Sequence, residues 1–168
     1  MRAILTYHSI DASGSPISVA PDAFARHVAW LGGGHVSVES LAAITQGGDC
    51  AADGRDRVAL TFDDAFENFG TVAWPQLRAA GLPATVFVVS GHVGGTNRWG
   101  GAAVPGIPEL PLLTWDALGA CAAAGAEIGA HSRTPPHLSR SAAAARHEEL
   151  AGCRDTIAIL RRNAGRPQ

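Results

Sequence analysis

The residues in this chain best suited to chemistry are Asp63, Asp64, His131 and His137, with His8 close behind them. Asp63 and Asp64 follow the apolar run 57–62, His131 follows the run 126–130, and His8 follows the run 3–7. Two adjacent carboxylates can divide the labour of hydrolysis, one ligating a cation and the other taking a proton from water. A bound divalent ion lowers the pKa of its water towards about 7, and a positioned base adds roughly 10²–10⁴ in rate. His131 and His137 share one loop, and neutral imidazole is a good ligand for zinc-class ions. Each motif also has a plainer reading. An Asp pair can cap a helix or fill a solvated turn, and a His-containing loop can simply be polar. The metal reading gains weight from convergence, because several strand ends deliver such residues to one sheet edge.

Those strand ends follow from the pattern of elements. Residues 3–7, 57–62, 84–89 and 126–130 read as strands, and ATVFVV at 84–89 has the continuous β-branched character of a strand buried on both faces. Between them lie helical segments. Residues 21–31 carry Phe24, Val28 and Leu31 at helix spacing, with Pro21 in the first turn and glycines at 32–34 as a stop. Residues 38–45 form a short helical candidate, and 68–80 a longer one with Phe69, Val72, Ala73 and Leu77 on one face. Thr114 caps a helix to Ala124, and a last helix from about Ser141 places Leu150, Cys153, Ile157 and Leu160 in a stripe. Trp30, Trp74 and Trp115 fall on or beside helix faces and read as core. The Gly/Pro-rich excursion 91–112 is long for a connection within one domain, which marks it as functional or mobile. Strand–helix alternation predicts an α/β fold with a parallel sheet and right-handed crossovers. Functional residues then gather at the C-terminal strand ends.

Bulk properties narrow the alternatives. A chain of 168 residues supports a single domain spanning 1–168. A formal net charge of −2 with no Lys/Arg stripe excludes a nucleic-acid footprint. The opening apolar run is too short for a signal-peptide core or a membrane span. Three cysteines without metal-type spacing argue against a disulfide framework, and together these features lead to the expectation of a cytoplasmic protein.

The sequence resembles the polysaccharide deacetylases, carbohydrate esterase family four, through ILTYHSI, VALTFDDAFEN, GLPATVFVVSGHVGGTNRW, LPLLTWDALGACAAAGAEIGAHSRT and PHLS, in family order across nearly the whole chain. The resemblance implies a distorted (β/α) barrel, here its first four to five β/α units. It implies a metal-dependent hydrolase, with zinc the expected ion, that removes N-acetyl groups from amino sugars of a poly- or oligosaccharide and releases acetate. Within it, Asp63 corresponds to the base and Asp64 and His131 to metal ligands. Two features depart from the family pattern. The second histidine ligand of the family falls four residues after the first, where this chain has Pro135, which has no donor. His137 lies two residues further, about 6 Å along an extended Pro-Pro segment. Metal binding is therefore expected to be weak unless His137, counted among the candidate ligands, or His8 substitutes. The family also continues into a Pro-Tyr strand and a later general-acid histidine that nothing here matches. The expectation is a domain truncated at its C-terminus, with an open sheet edge that a partner or a second copy covers. The alternative function is a catalytically impaired homologue that binds carbohydrate or is completed by a partner.

Overall fold

The computed structural model describes residues 1–46, 54–101, 104–135 and 138–164. Its centre is a parallel sheet in the order β1 (Arg2–Tyr7), β5 (Arg57–Phe62), β6 (Thr85–Val88) and β7 (Glu127–Ala130). A short strand, β4 (Ser37–Val38), pairs with the first two residues of β5, whereas β6 pairs with its last two. A separate two-stranded sheet joins β2 (Ser9–Ile10) to β3 (Ser18–Val19). The sheet does not close into a barrel among the described residues, and β1 forms one edge with Ile4 and Leu5 exposed.

Strand β5 is buried along its whole length, which its alternation of Val58, Leu60 and Phe62 with Ala59 and Thr61 permits on both faces. Its one charged residue, Arg57, is satisfied by both carboxylate oxygens of Glu39 (3.0 and 2.6 Å) and by the Ala43 carbonyl (2.8 Å). Between the strands run α1 (Pro21–Gly32), α2 (Leu41–Gln46), α3 (Trp74–Ala79), α4 (Trp115–Ala123) and α5 (Ala143–Ala164). The α4 start is as expected, with the Thr114 hydroxyl accepting from the Ala117 N–H at 3.2 Å. Tyr7, Phe24, Phe62, Phe69 and Trp74 form a chain of ring contacts through the core, with Tyr7 stacked on Phe62 at 5.1 Å. Tyr7 precedes His8 and Phe62 precedes Asp63, so this aromatic floor holds the strand ends that carry the candidate site.

Several expectations are corrected. Residues 38–45 are not one helix: Ser37 and Val38 pair with β5, because Ser37 N–H donates to Asp56 and Glu39 N–H to Val58, and Ser40 then caps α2 through its hydroxyl. Residues 68–80 divide into a π-helical turn, Phe69–Ala73, and then α3. Pro75 has no N–H to give to a preceding carbonyl, and the wider turn buries Phe69 and Ala73. Leu150 is 52% exposed, so the buried stripe of α5 is Cys153 and Ile157 with Leu160 partly buried. Trp30 is half exposed and stacks on His35 at the surface, and Trp115 is also exposed; only Trp74 of the three lies in the core. Cys121 and Cys153 are buried free thiols, and Cys50 lies outside the described residues. Among the described residues no helix is long and apolar enough to cross a membrane.

Candidate active site

The parallel register brings the strand ends to one edge. Tyr7 pairs with Phe62 at the close of β1 and β5, and the Asp63 N–H extends that ladder by donating to the Tyr7 carbonyl at 2.9 Å. At the other end of the row, the His131 N–H donates to Val88 at 2.9 Å, continuing the β6–β7 pairing. His8, Asp63, Asp64 and His131 thus all follow directly on strands of one parallel sheet.

Their side chains meet in two pairs. His131 Nε2 lies 3.5 Å from Asp64 Oδ1, and His8 Nε2 lies 3.9 Å from Asp63 Oδ2. The two carboxylates differ in setting, since the Asp64 side chain is 14% exposed and that of Asp63 24%. Burial pushes the Asp64 carboxyl above its ordinary pKa; the imidazoles of His131 and His8 oppose that rise, and the neighbouring Asp63 charge adds to it. A cation beside Asp64 would relieve this cost. Backbone conformation is unusual at the same place. Asp64, Ala65 and Ser132 all adopt left-handed φ values of 70°, 58° and 62°. Non-glycine residues hold such conformations only where surrounding contacts impose them.

Those contacts are visible. The turn after Asp64 is tied to residues 111–113: Leu113 N–H donates to Ala65 and Glu67 N–H to Pro111, both at 2.9 Å. The excursion 91–112 is braced across itself, by Leu112 N–H to Gly95, by the Asn97 side chain to both Pro108 and Leu110, and by the Arg98–Glu109 ion pair at 2.7 Å. Within it, His92 meets Trp99 edge to face at 4.9 Å, which accounts for both rings as packing within the loop. Between residues 13–15, after β2, and residues 106–108 of this excursion lies an open cleft of about 540 Å³.

Sequence reasoning missed the residues that brace the Asp loop. Asn68 donates to the Ser9 hydroxyl at 2.7 Å and accepts from the Ile10 N–H at 3.1 Å, locking the Asp loop to the chain after His8. Asp11 gathers the hydroxyls of Ser9 and Ser18 and the Ser13 N–H. The run of serines around Asp11 was the only hint in the sequence, and nothing in the spacing linked Asn68 to Ser9.

Of the expected ligands, Asp64 and His131 are together, and Asp63 is beside them. His137 lies outside the described residues. Among the described residues no group of three His, Cys, Asp or Glu side chains is clustered tightly enough to enclose an ion, and Pro135 brings no donor. The donors present, one buried carboxylate oxygen and one imidazole nitrogen, are of the types that zinc-class ions take.

Comparison with known proteins places this arrangement in context. The family model of polysaccharide deacetylase matches residues 51–165. No curated protein matches the sequence. Among solved structures, the chain is similar to the Streptococcus pyogenes deacetylase PplD, solved in complex with acetate, at a TM-score of 0.75 and 22% identity, over 95% of this chain and 69% of that one. It is similar to IcaB from Ammonifex degensii at a TM-score of 0.69 and 18% identity, over 97% of this chain and 69% of that one. The BpsB deacetylase domain from Bordetella bronchiseptica gives a TM-score of 0.59 and 23% identity, over 97% and 75% of the two chains. At these identities the structural likeness concerns the fold.

Proposed function

The chain belongs to the polysaccharide deacetylase family, and from that premise we propose that it hydrolyses N-acetyl groups on amino sugars of a poly- or oligosaccharide, using a divalent ion, with zinc the first choice, held by Asp64 and His131. The observation that carries this reading is the meeting of Asp64 and His131 at 3.5 Å, with Asp63 and His8 alongside, on the C-terminal edge of the sheet. The residues fit such an ion in donor type and in charge, because the Asp64 carboxyl is destabilised by burial in a way that a cation offsets. When bound, the ion supplies Lewis acidity to the amide carbonyl and to water.

The chain's own residues divide the remaining work. Asp63, the more exposed carboxylate, takes the proton from the attacking water, a role worth roughly 10²–10⁴ in rate. His8 stands beside it, with Nε2 3.9 Å from Asp63 Oδ2. The third protein ligand is drawn from His137 or His8.

The test is acetate release from N-acetylglucosamine oligomers, run beside calorimetric titration with zinc. The expected result is zinc-dependent release that Asp63→Asn abolishes while zinc affinity stays within a few-fold. His8→Ala and His137→Ala, made in turn, identify the third ligand by which one weakens zinc binding. Equal zinc affinity in the unaltered protein and an Asp64→Asn/His131→Ala variant would refute the assignment. A second reading is favoured by one observation, the donor-free Pro135: a homologue that binds carbohydrate without turnover. Zinc-independent oligosaccharide binding with no acetate release, unchanged by Pro135→His, would select it.

A further inference from the structure

We propose that Glu149 is a positioning residue for the candidate centre: from helix α5 its carboxylate holds the loop after His131, and so fixes the His131 imidazole for the ion. The inference rests on the metal reading above.

The geometry is specific. Glu149 Oε2 accepts the N–H groups of Arg133 at 2.9 Å and Thr134 at 2.7 Å, and Oε1 accepts the Thr134 hydroxyl at 2.6 Å. Hydrogen bonds to an ionised acceptor are roughly twice as strong as neutral ones. From the opposite side the Ser90 N–H donates to Ser132 at 3.2 Å and the Gly91 N–H to Arg133 at 2.8 Å. Residues 132–134 are therefore clamped between the end of β6 and one turn of α5. The clamp encloses Ser132, whose left-handed φ of 62° needs such support.

Helix α5 is itself well anchored for this role. Cys153, one turn beyond Glu149 on the same face, is fully buried, and its thiol lies 3.4 Å from the Val88 carbonyl. That carbonyl also accepts the His131 N–H. The helix thus grips β6 at the level where His131 begins and reaches over the loop with Glu149. The neighbouring ion pair, Arg133 to Glu148, is exposed, is a single contact at 3.5 Å, and contributes little by comparison. No ligand-spacing pattern marks Glu149, because it stands 18 residues after His131 and acts through backbone groups.

The experiment uses the full chain with Glu149→Gln and Glu149→Ala, and Glu148→Gln as control. Zinc affinity is read by calorimetry, amide exchange at Arg133 and Thr134 by hydrogen–deuterium exchange without metal, and folding by thermal melting. Losses at residues that orient metal ligands typically weaken affinity about 10–100-fold. That range is expected for both Glu149 variants, together with faster exchange at the two amides and unchanged exchange in β5. Glu148→Gln is expected to stay within about twofold of the unaltered protein, as for an exposed pair. If the unaltered protein binds zinc and the Glu149 variants bind it equally well, the inference fails while the metal reading stands. If the unaltered protein binds no zinc, both fail. Unchanged exchange at Arg133 and Thr134 would overturn it. Loss of folding in both variants would overturn it too, by making Glu149 a need of the whole fold.

Discussion

Gly91 offers a sharp test of how the His131 loop is held. It lies just past β6, and a Cβ placed there would meet the Arg133 carbonyl oxygen at 2.6 Å and the Thr134 methyl at 3.3 Å. The obstacle is backbone, so Gly91→Ala must push the two segments apart and stretch the 2.8 Å bond from the Gly91 N–H to Arg133. Overpacking of this kind costs about 1–3 kcal/mol, and a weakened hydrogen bond about 0.5–1.5 more. Loss of glycine freedom in the unfolded chain returns about 0.4–1 kcal/mol. The net is a destabilisation of about 2 kcal/mol, or roughly 4–8 °C in Tm for a chain of this size. Gly70 is the comparison. A Cβ there would come within 2.9 Å of a Leu113 methyl, the far end of a flexible side chain, and the position lies in the π-helical turn. Gly70→Ala should therefore shift stability by less than about 1 kcal/mol, with helix propensity partly offsetting the contact. The assay is thermal melting of both variants, with amide exchange at residues 132–134. A Gly91→Ala melt within 1 °C of the unaltered protein by direct measurement, or a Gly70→Ala variant the less stable of the two, would refute the clamp between β6 and the loop.

Asp64→Asn keeps a residue type that tolerates left-handed backbone and removes the buried charge. Because the Asp64 pKa is raised, mainly by burial, its ionisation weakens the folded state as pH climbs from the ordinary carboxylate range through the folded value. The metal-free variant should then melt higher than the unaltered protein at neutral pH while binding zinc at least about 10-fold more weakly; a lower melting temperature would contradict the burial account. Asp11 behaves oppositely. Burial acts to raise its pKa, but the hydrogen bonds from Ser13, Ser9 and Ser18 outweigh it and lower the value to about 2. The stability it lends is present above the ordinary Asp value and fades as pH falls from about 4 towards 2. Acid denaturation of Asp11→Asn should be less steep over that interval, and superimposable curves would show that the serine cluster adds nothing.

Much of the fold was legible in sequence because apolar runs leave few choices. Residues 57–62 become a strand over the same span, and Phe24, Val28 and Leu31 bury the face their spacing implies. Where the pattern failed, a tertiary partner had intervened. Val38 left a helical pattern because β5 offered it ladder hydrogen bonds, and Leu150, expected in the buried stripe of its helix, is exposed.

For the candidate site, local sequence put Asp63, Asp64 and His131 directly after strands, and strand ends in a parallel sheet share an edge. Only the tertiary structure decided which carboxylate faces which imidazole, Asp64 with His131 and Asp63 with His8. It alone placed Asn68 against Ser9 and Glu149 against Arg133 and Thr134, contacts of 59, 16 and 15 residues' separation along the chain. The physical reason is that periodicity records which face of an element is buried, whereas a hydrogen bond between a side chain and a distant backbone group depends on where two elements come to rest in space.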